Sequence, residues 1–158
     1  VGNPLYLPLG KGECELGSIN LNNHMNDCLF CKIIKGEIPC HKVYEDNLTF
    51  AFLDIGPVSK GHTLIVPKQH ADMMQAGSLD DALAIMTTTY QIAPAILKAL
   101  GATGYNLGMN HGEDAGQDVF HTHLHFMPRY EGDARTFIKQ KPSQEELAQV
   151  AQLIRQEL

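Results

Sequence analysis

His121-Thr122-His123-Leu124-His125-Phe126-Met127-Pro128-Arg129 is the stretch on which the reading of this chain turns. Three imidazoles alternate with Thr122, Leu124 and Phe126. Side chains of a strand change face at every residue, so a strand here sets all three imidazoles on one face and the apolar partners on the other. A helix would scatter the same histidines around its axis. Three of the chain's eight histidines fall in this stretch, more than an incidental polar strand face requires. Imidazoles gathered in this way serve metal binding, nucleophilic attack or proton transfer. One ion on all three is excluded by reach, because His121 and His125 would stand roughly 13 Å apart on an extended strand; two of the three remain able to share an ion.

Working outward, the stretch is preceded by a polar, glycine-bearing loop, Asn110-His111-Gly112-Glu113-Asp114-Ala115-Gly116-Gln117, and by a strand over Tyr105 to Asn110. Earlier strands are expected at Val43-Tyr44-Glu45, at Thr49 to Ile55 and at His62 to Pro67. Their connections are short, which favours antiparallel pairing. Phe30, Ile33 and Ile34 make one apolar face of a short helix that Gly36 and Pro39 stop. A long helix is predicted over Leu79 to Leu100. Ser78 and Asp81 form a capping box at its start, Gly101 ends it, and Pro94 is expected to kink or divide it. Ser143 with Glu146 opens a last helix, in which Leu147, Val150, Ile154 and Leu158 recur at helical spacing. This order of elements predicts an α+β fold.

Composition narrows the classes of partner. The 158 residues suit one domain, 44% of them are hydrophobic, and the net charge is -6, so the chain as a whole has no electrostatic footprint for a nucleic acid polymer. No apolar run is read as reaching the ~20 residues that span a bilayer, so no membrane partner is expected. Residues 1–24 mix glycine, proline and asparagine without periodicity, and His24-Met25 matches what a common cloning site encodes. They are expected to be a disordered leader or an expression-derived extension, with a single domain over residues 25–158. Of Cys14, Cys28, Cys31 and Cys40, only Cys28-x-x-Cys31 has a recognisable spacing: half of a zinc site, a redox pair, or two ordinary thiols. A reduced, cytoplasmic setting is expected.

The triad resembles the His-φ-His-φ-His-φ-φ signature of the histidine-triad (HIT) family. Phe30 through Lys35, Phe52-Leu53-Asp54-Ile55, Gly61 through Lys68, and Asn110 through Arg129 also resemble the family's blocks, in the family's order. The resemblance covers Asp27 to Arg129. It implies an antiparallel sheet of about five strands with a long helix, a short N-terminal helix and a C-terminal helix. It also implies a purine nucleotide substrate, with hydrolysis or transfer at the α-phosphorus of nucleoside phosphate derivatives: purine nucleoside phosphoramidates, adenylated conjugates or dinucleoside polyphosphates. His123 then corresponds to the nucleophile that forms a nucleotidyl-histidine, its tautomer fixed by the backbone carbonyl of His121, and His125 to a group that contacts phosphate or assists the leaving oxygen.

By the same resemblance Gly116, Gln117, Asp118 and Val119 form the phosphate-approach segment, with Gln117 and Asn110 as polar contacts to phosphate or ribose. Asp54 corresponds to the ribose-binding carboxylate, and Phe30, Ile33, Phe52 and Ile55 to the apolar base pocket. Each has a plainer alternative: Asp54 as a turn aspartate, the apolar residues as core, the loop as an ordinary turn. Asp118 departs from relatives that carry Ser or Thr there, because an ionised carboxylate repels phosphate instead of donating to it. Family members with this C-x-x-C bind zinc through positions that correspond to Cys28, Cys31, His70 and His121, a donor set that suits a closed structural site. A homodimer is implied as well. The competing readings are a nucleotide-binding or interaction module without turnover and a zinc-stabilised scaffold.

Overall fold

Strands β1 (Lys42–Glu45), β2 (Thr49–Leu53) and β3 (Thr63–Pro67) fold back and forth through the first hydrophobic third of the domain. Every residue of β2 and β3 is buried, as expected of central strands covered on both faces. The remaining strands are β4 (Gly104–Gly108) and β5 (Leu124–Arg129). The five line up as β1-β2-β3-β5-β4, with every neighbouring pair antiparallel. The computed structural model describes residues 27–158; the expectation for residues 1–24 lies outside the described residues.

The two faces of the sheet carry different layers. Helix α1 (Leu29–Ile34) packs Phe30 and Ile33 against Phe50, Phe52, Leu64 and Val66. Helices α2 (Leu79–Leu100) and α3 (Gln144–Arg155) cover the opposite face. There Ile85, Ile92, Ile96, Leu147 and Ile154 meet Leu53, Ile65, Leu124 and Phe126. Each fully buried side chain of this size contributes roughly 1.5–3 kcal/mol relative to exposure.

Local chemistry sets the helix ends. Ser78 Oγ accepts from the Asp81 N–H at 3.0 Å, and the Asp81 carboxylate accepts from the Ser78 N–H at 3.3 Å. Gly101 closes α2 with φ of 65°, a left-handed conformation that glycine adopts without steric cost. Pro94 does not divide α2, which runs unbroken through it. The carbonyl that loses its partner belongs to Tyr90, whose side chain is 84% exposed, so water can reach that side of the helix. Ser143 and Glu146 make the same capping box for α3. Leu158, expected on its apolar face, falls beyond the helix end and is exposed.

Two further expectations need correction. By length and composition alone α2 could cross a membrane, with a mean hydropathy of 1.2; here one of its faces is core, built on Ile85, Ile92 and Ile96. The triad strand also starts late, at Leu124. Thr122 gives both its N–H and its hydroxyl to the Ala71 carbonyl, and the His121 carbonyl is taken by a histidine ring. The ladder therefore starts after His123.

Candidate active site and metal cluster

On the α1 side of the sheet a cavity of about 470 Å³ opens at the end of β5, within the range of small-molecule sites. Its apolar wall includes Phe30, Ile33, Phe52 and Val119, with Ile55 at the rim. Its polar wall includes Asp54, His62, Asn110, Gly116, Asp118, His123 and His125. The sheet register explains part of this convergence. His125 on β5 stands opposite Leu64 of β3 and Gly108 of β4, and a Cβ at Gly108 would meet the Met127 methyl at 3.5 Å.

His123 is buried, and its Nδ1 lies 2.7 Å from the His121 carbonyl oxygen. A carbonyl only accepts, so Nδ1 carries the proton and Nε2 presents its lone pair. Burial pulls the His123 pKa below its usual value, which keeps the ring neutral and nucleophilic at pH 7. The His125 ring is 4.8 Å away, and burial together with the charges of His123 and His62 lowers its pKa to about 4.

His62, which the sequence reading left out of the site, fixes the proton on His125. The Val58 N–H donates to His62 Nδ1 at 3.3 Å, so that nitrogen is bare and Nε2 bears the hydrogen. His62 Nε2–H then donates to His125 Nδ1 at 3.0 Å. His125 is left with its own proton on Nε2. The Asp54 carboxylate stands 3.5 Å from His62 Nδ1; we favour the backbone donor for the resting tautomer, because an amide hydrogen cannot share that nitrogen with a second one. Asp54 Oδ1 accepts from the Gly56 N–H at 2.8 Å, so this carboxylate does hold the turn while it lines the cavity. Only the lone position of His62 at the mouth of β3, behind Gly61, hinted at it in sequence.

Gln117 does not stand on the cavity wall. It is buried behind the loop, where its amide nitrogen donates to the carbonyls of Asp72 and Val119 and its oxygen accepts from the Gly112 N–H. All of its polar groups are committed to shaping residues 112–119. Gly116, with φ of 79°, turns that loop so that Asn110 Nδ2 can donate to its carbonyl. Asp118 is exposed and pairs with Lys139 at 3.4 Å.

His121 faces away from the cavity into a second constellation. The ligand atoms of Cys28, Cys31, His70 and His121 all lie within 4.8 Å of one another. Cys28 Sγ and Cys31 Sγ are 3.4 and 3.5 Å from His121 Nδ1, and the two Nδ1 atoms of His70 and His121 are 3.3 Å apart. His121 Nε2 contacts the Pro67 carbonyl at 2.9 Å and His70 Nε2 the Asp72 carboxylate at 3.1 Å. Both outer nitrogens therefore carry hydrogen, and two bare Nδ1 lone pairs face each other. Two lone pairs at that distance repel unless a cation lies between them. Tetrahedral zinc bonds of usual length give N···N edges of about 3.3 Å and N···S edges of about 3.5 Å, which these separations match. With no positive charge among them, burial and Cys28 push the Cys31 thiol up to about 12; a coordinated metal reverses that preference. The triangle of Asp54, His62 and His125 also brings three potential ligands together, but its two rings already satisfy each other by an N–H···N bond.

The chain belongs to the HIT domain family, whose profile matches residues 35–132. Among its relatives is an adenylylsulfatase of Arabidopsis thaliana, 44% identical over 137 residues that span 83% of this chain and 70% of that protein. An adenosine 5′-monophosphoramidase of Schizosaccharomyces pombe is 44% identical over 102 residues, 65% of this chain and 74% of that protein. The crystal structure of a Zn-bound histidine triad family protein from Mycobacterium smegmatis superposes with a TM-score of 0.77 at 33% identity, covering 84% of this chain and 97% of that one.

Proposed function

We propose that this HIT-family nucleotide hydrolase acts at the α-phosphorus of nucleoside phosphate derivatives through a nucleotidyl-His123 intermediate. The observation that carries the reading is the 2.7 Å bond from His123 Nδ1–H to the His121 carbonyl, which leaves Nε2 as a neutral nucleophile beside a ring that holds a transferable proton. His123 Nε2 attacks the α-phosphorus, and the bond from phosphorus to the leaving group breaks. The leaving atom takes the electron pair and, where it is basic, a proton from His125, which the anionic substrate first draws from solvent so that the ring returns to neutral. Water then attacks the same phosphorus and gives up a proton to solvent as the P–N bond breaks, so a nucleoside monophosphate departs. Division into two displacements is the gain of covalent catalysis, and proton transfer of this kind contributes typically ~10²–10⁴-fold.

In this reading Asp54 Oδ2 accepts from ribose hydroxyls, the apolar wall holds the base, and the backbone amides of Asp118 and Val119 meet the phosphate, because those of Gly116 and Gln117 are taken by the Glu113 and Gly112 carbonyls. The named relatives support adenylyl sulfates and phosphoramidates as substrate classes. A panel of AMP derivatives with graded leaving groups, run beside His123→Ala, tests the reading. Turnover that survives in the variant would refute it.

The proposed cofactor is one structural zinc on Cys28, Cys31, His70 and His121, supported by the opposed Nδ1 lone pairs and by the Zn-bound relative. Such an ion would tie α1, the segment after β3 and the approach to β5 together and orient His121. The proposed setting is cytoplasmic, where thiols stay reduced. The proposed assembly is a homodimer. β4 is an open sheet edge, Tyr105 and Leu107 on it are part-exposed, and α2 shows an outward stripe of Leu79, Leu83, Met86 and Tyr90. Light scattering that finds a monomer at micromolar concentration would overturn that assignment.

A further inference from the structure

The chain after β5 does not leave the cavity. Residues 130–142 return across its mouth, and several bonds hold them there. Tyr130 donates its hydroxyl to the Lys60 carbonyl at 2.7 Å, and the Gln140 N–H donates to the Pro57 carbonyl at 2.8 Å. Arg129, buried at the end of β5, donates to the Thr136 carbonyl at 3.2 Å and sets its guanidinium 5.2 Å from the centre of the Phe137 ring. This strap delivers Phe137 and Lys139 to the cavity wall. The Lys139 chain runs over Gly56, where a Cβ would meet its Cδ at 3.6 Å.

Lys139 is the cation among the residues that line the cavity, beside the carboxylates Asp54 and Asp118. Its Nζ lies 3.4 Å from Asp118 Oδ2, and the two side chains are 71% and 80% exposed. A charge-assisted bond of full strength is shorter, about 2.7–2.9 Å. An exposed pair of this kind contributes little to stability, so a new partner can separate it at small cost. The Lys139 charge also reaches the rings of His62 and His125 and adds to the lowering of their pKa values, while Asp118 acts in the opposite sense on His123. Lys139 thus lines the same cavity as His123 and His125, at the side bounded by Gly56 and Asp118.

We propose that Lys139 is a specificity residue that leaves Asp118 to bind an oxyanion leaving group, so that the site prefers adenylyl anhydrides with an anionic leaving group over amidates with a neutral one. The inference rests on the assignment of His123 and His125 given above. An oxyanion placed here without Lys139 would face the uncompensated carboxylate of Asp118. An amine leaving group has no charge for Lys139 to hold.

The test uses the full chain and two probes, adenosine 5′-phosphosulfate and adenosine 5′-phosphoramidate. Ratios of kcat/KM are measured for wild type, Lys139→Ala, Lys139→Arg and Asp118→Asn. The phosphosulfate-to-phosphoramidate ratio should fall about fivefold in Lys139→Ala, stay near wild type in Lys139→Arg, and rise in Asp118→Asn. A general disturbance of the strap would lower both substrates equally and leave the ratio unchanged; that result, with turnover intact, overturns the proposal. Equilibrium binding of phosphosulfate against AMP to His123→Ala, with and without Lys139→Ala, reads the same preference without chemistry. A binding preference that depends on Lys139, found together with a wild type that turns over neither probe, supports the proposal and refutes the catalytic assignment. A preference indifferent to Lys139 refutes the proposal whatever the turnover.

Discussion

Substitution Cys31→Ser should weaken the fold far more than it slows the chemistry. Cys31 meets His70 across 39 residues of chain, and His70 meets His121 across 51. A cross-link that closes a loop of either length removes about 4 kcal/mol of unfolded-state entropy. Serine is a poor zinc ligand, so the variant should lose one such closure. It should not lose both, because Phe30 and Ile33 still bury α1 against the sheet. With unfolding entropy near 2.1 cal/mol/K per residue, about 4 kcal/mol corresponds to a fall in Tm of about 10–15 °C for a domain of this size. Calorimetry beside elemental analysis for zinc makes the assay. The tautomer of His123 depends on the His121 carbonyl and not on the metal, so turnover well below the new Tm should stay near wild type. A Tm shift under about 3 °C with zinc still stoichiometric, or a wild type that holds no zinc after reducing, chelator-free purification, would refute the reasoning.

Three other outcomes follow from the geometry. His62→Phe removes the donor to His125 Nδ1 and frees the wrong tautomer, so steady-state kcat/KM should fall on the order of 10²-fold for poor leaving groups and much less for good ones. The pKa of His125 is lowered to about 4 and that of His62 is also lowered. The unfolded chain therefore binds more protons than the native one between about pH 6.5 and pH 4. Stability should be flat above that window and decline as pH falls through it, and thermal melts of His125→Gln should show a shallower decline. Gln117→Ala strips the loop of its hydrogen bonds to Asp72, Val119 and Gly112, which costs about 2 kcal/mol and should appear as faster amide exchange over residues 110–119.

Much of the frame could be read from sequence because its signals are local. The Ser78/Asp81 box and Gly101 bound α2 at the residues where the chain places it, and Ser143 with Glu146 does the same for α3. Hydrophobic runs locate β2 and β3, although the expected β2 runs on through Asp54 and Ile55 and the expected β3 starts one residue early, at His62. What sequence did not disclose depends on pairing across the sheet. His62 earns its place only because the antiparallel β3–β5 pairing brings its Nε2 to His125. Gln117, expected at the phosphate, was legible as polar and close to the triad, but nothing local says that three backbone groups claim its amide first. Lys139 lies in a segment without periodicity, and its position follows from the anchoring of the strap by Arg129 and Gln140.

The central claim is a covalent bond from His123 to a nucleotide, and trapping it tests that claim most directly. Wild-type protein mixed with adenosine 5′-phosphosulfate, quenched within the first turnover and digested, should yield the peptide that contains His123 with one adenylyl group on that residue. His123→Ala should yield neither adduct nor turnover. Hydrolysis that proceeds with no adduct at any quench time, or that persists in His123→Ala, would contradict the account.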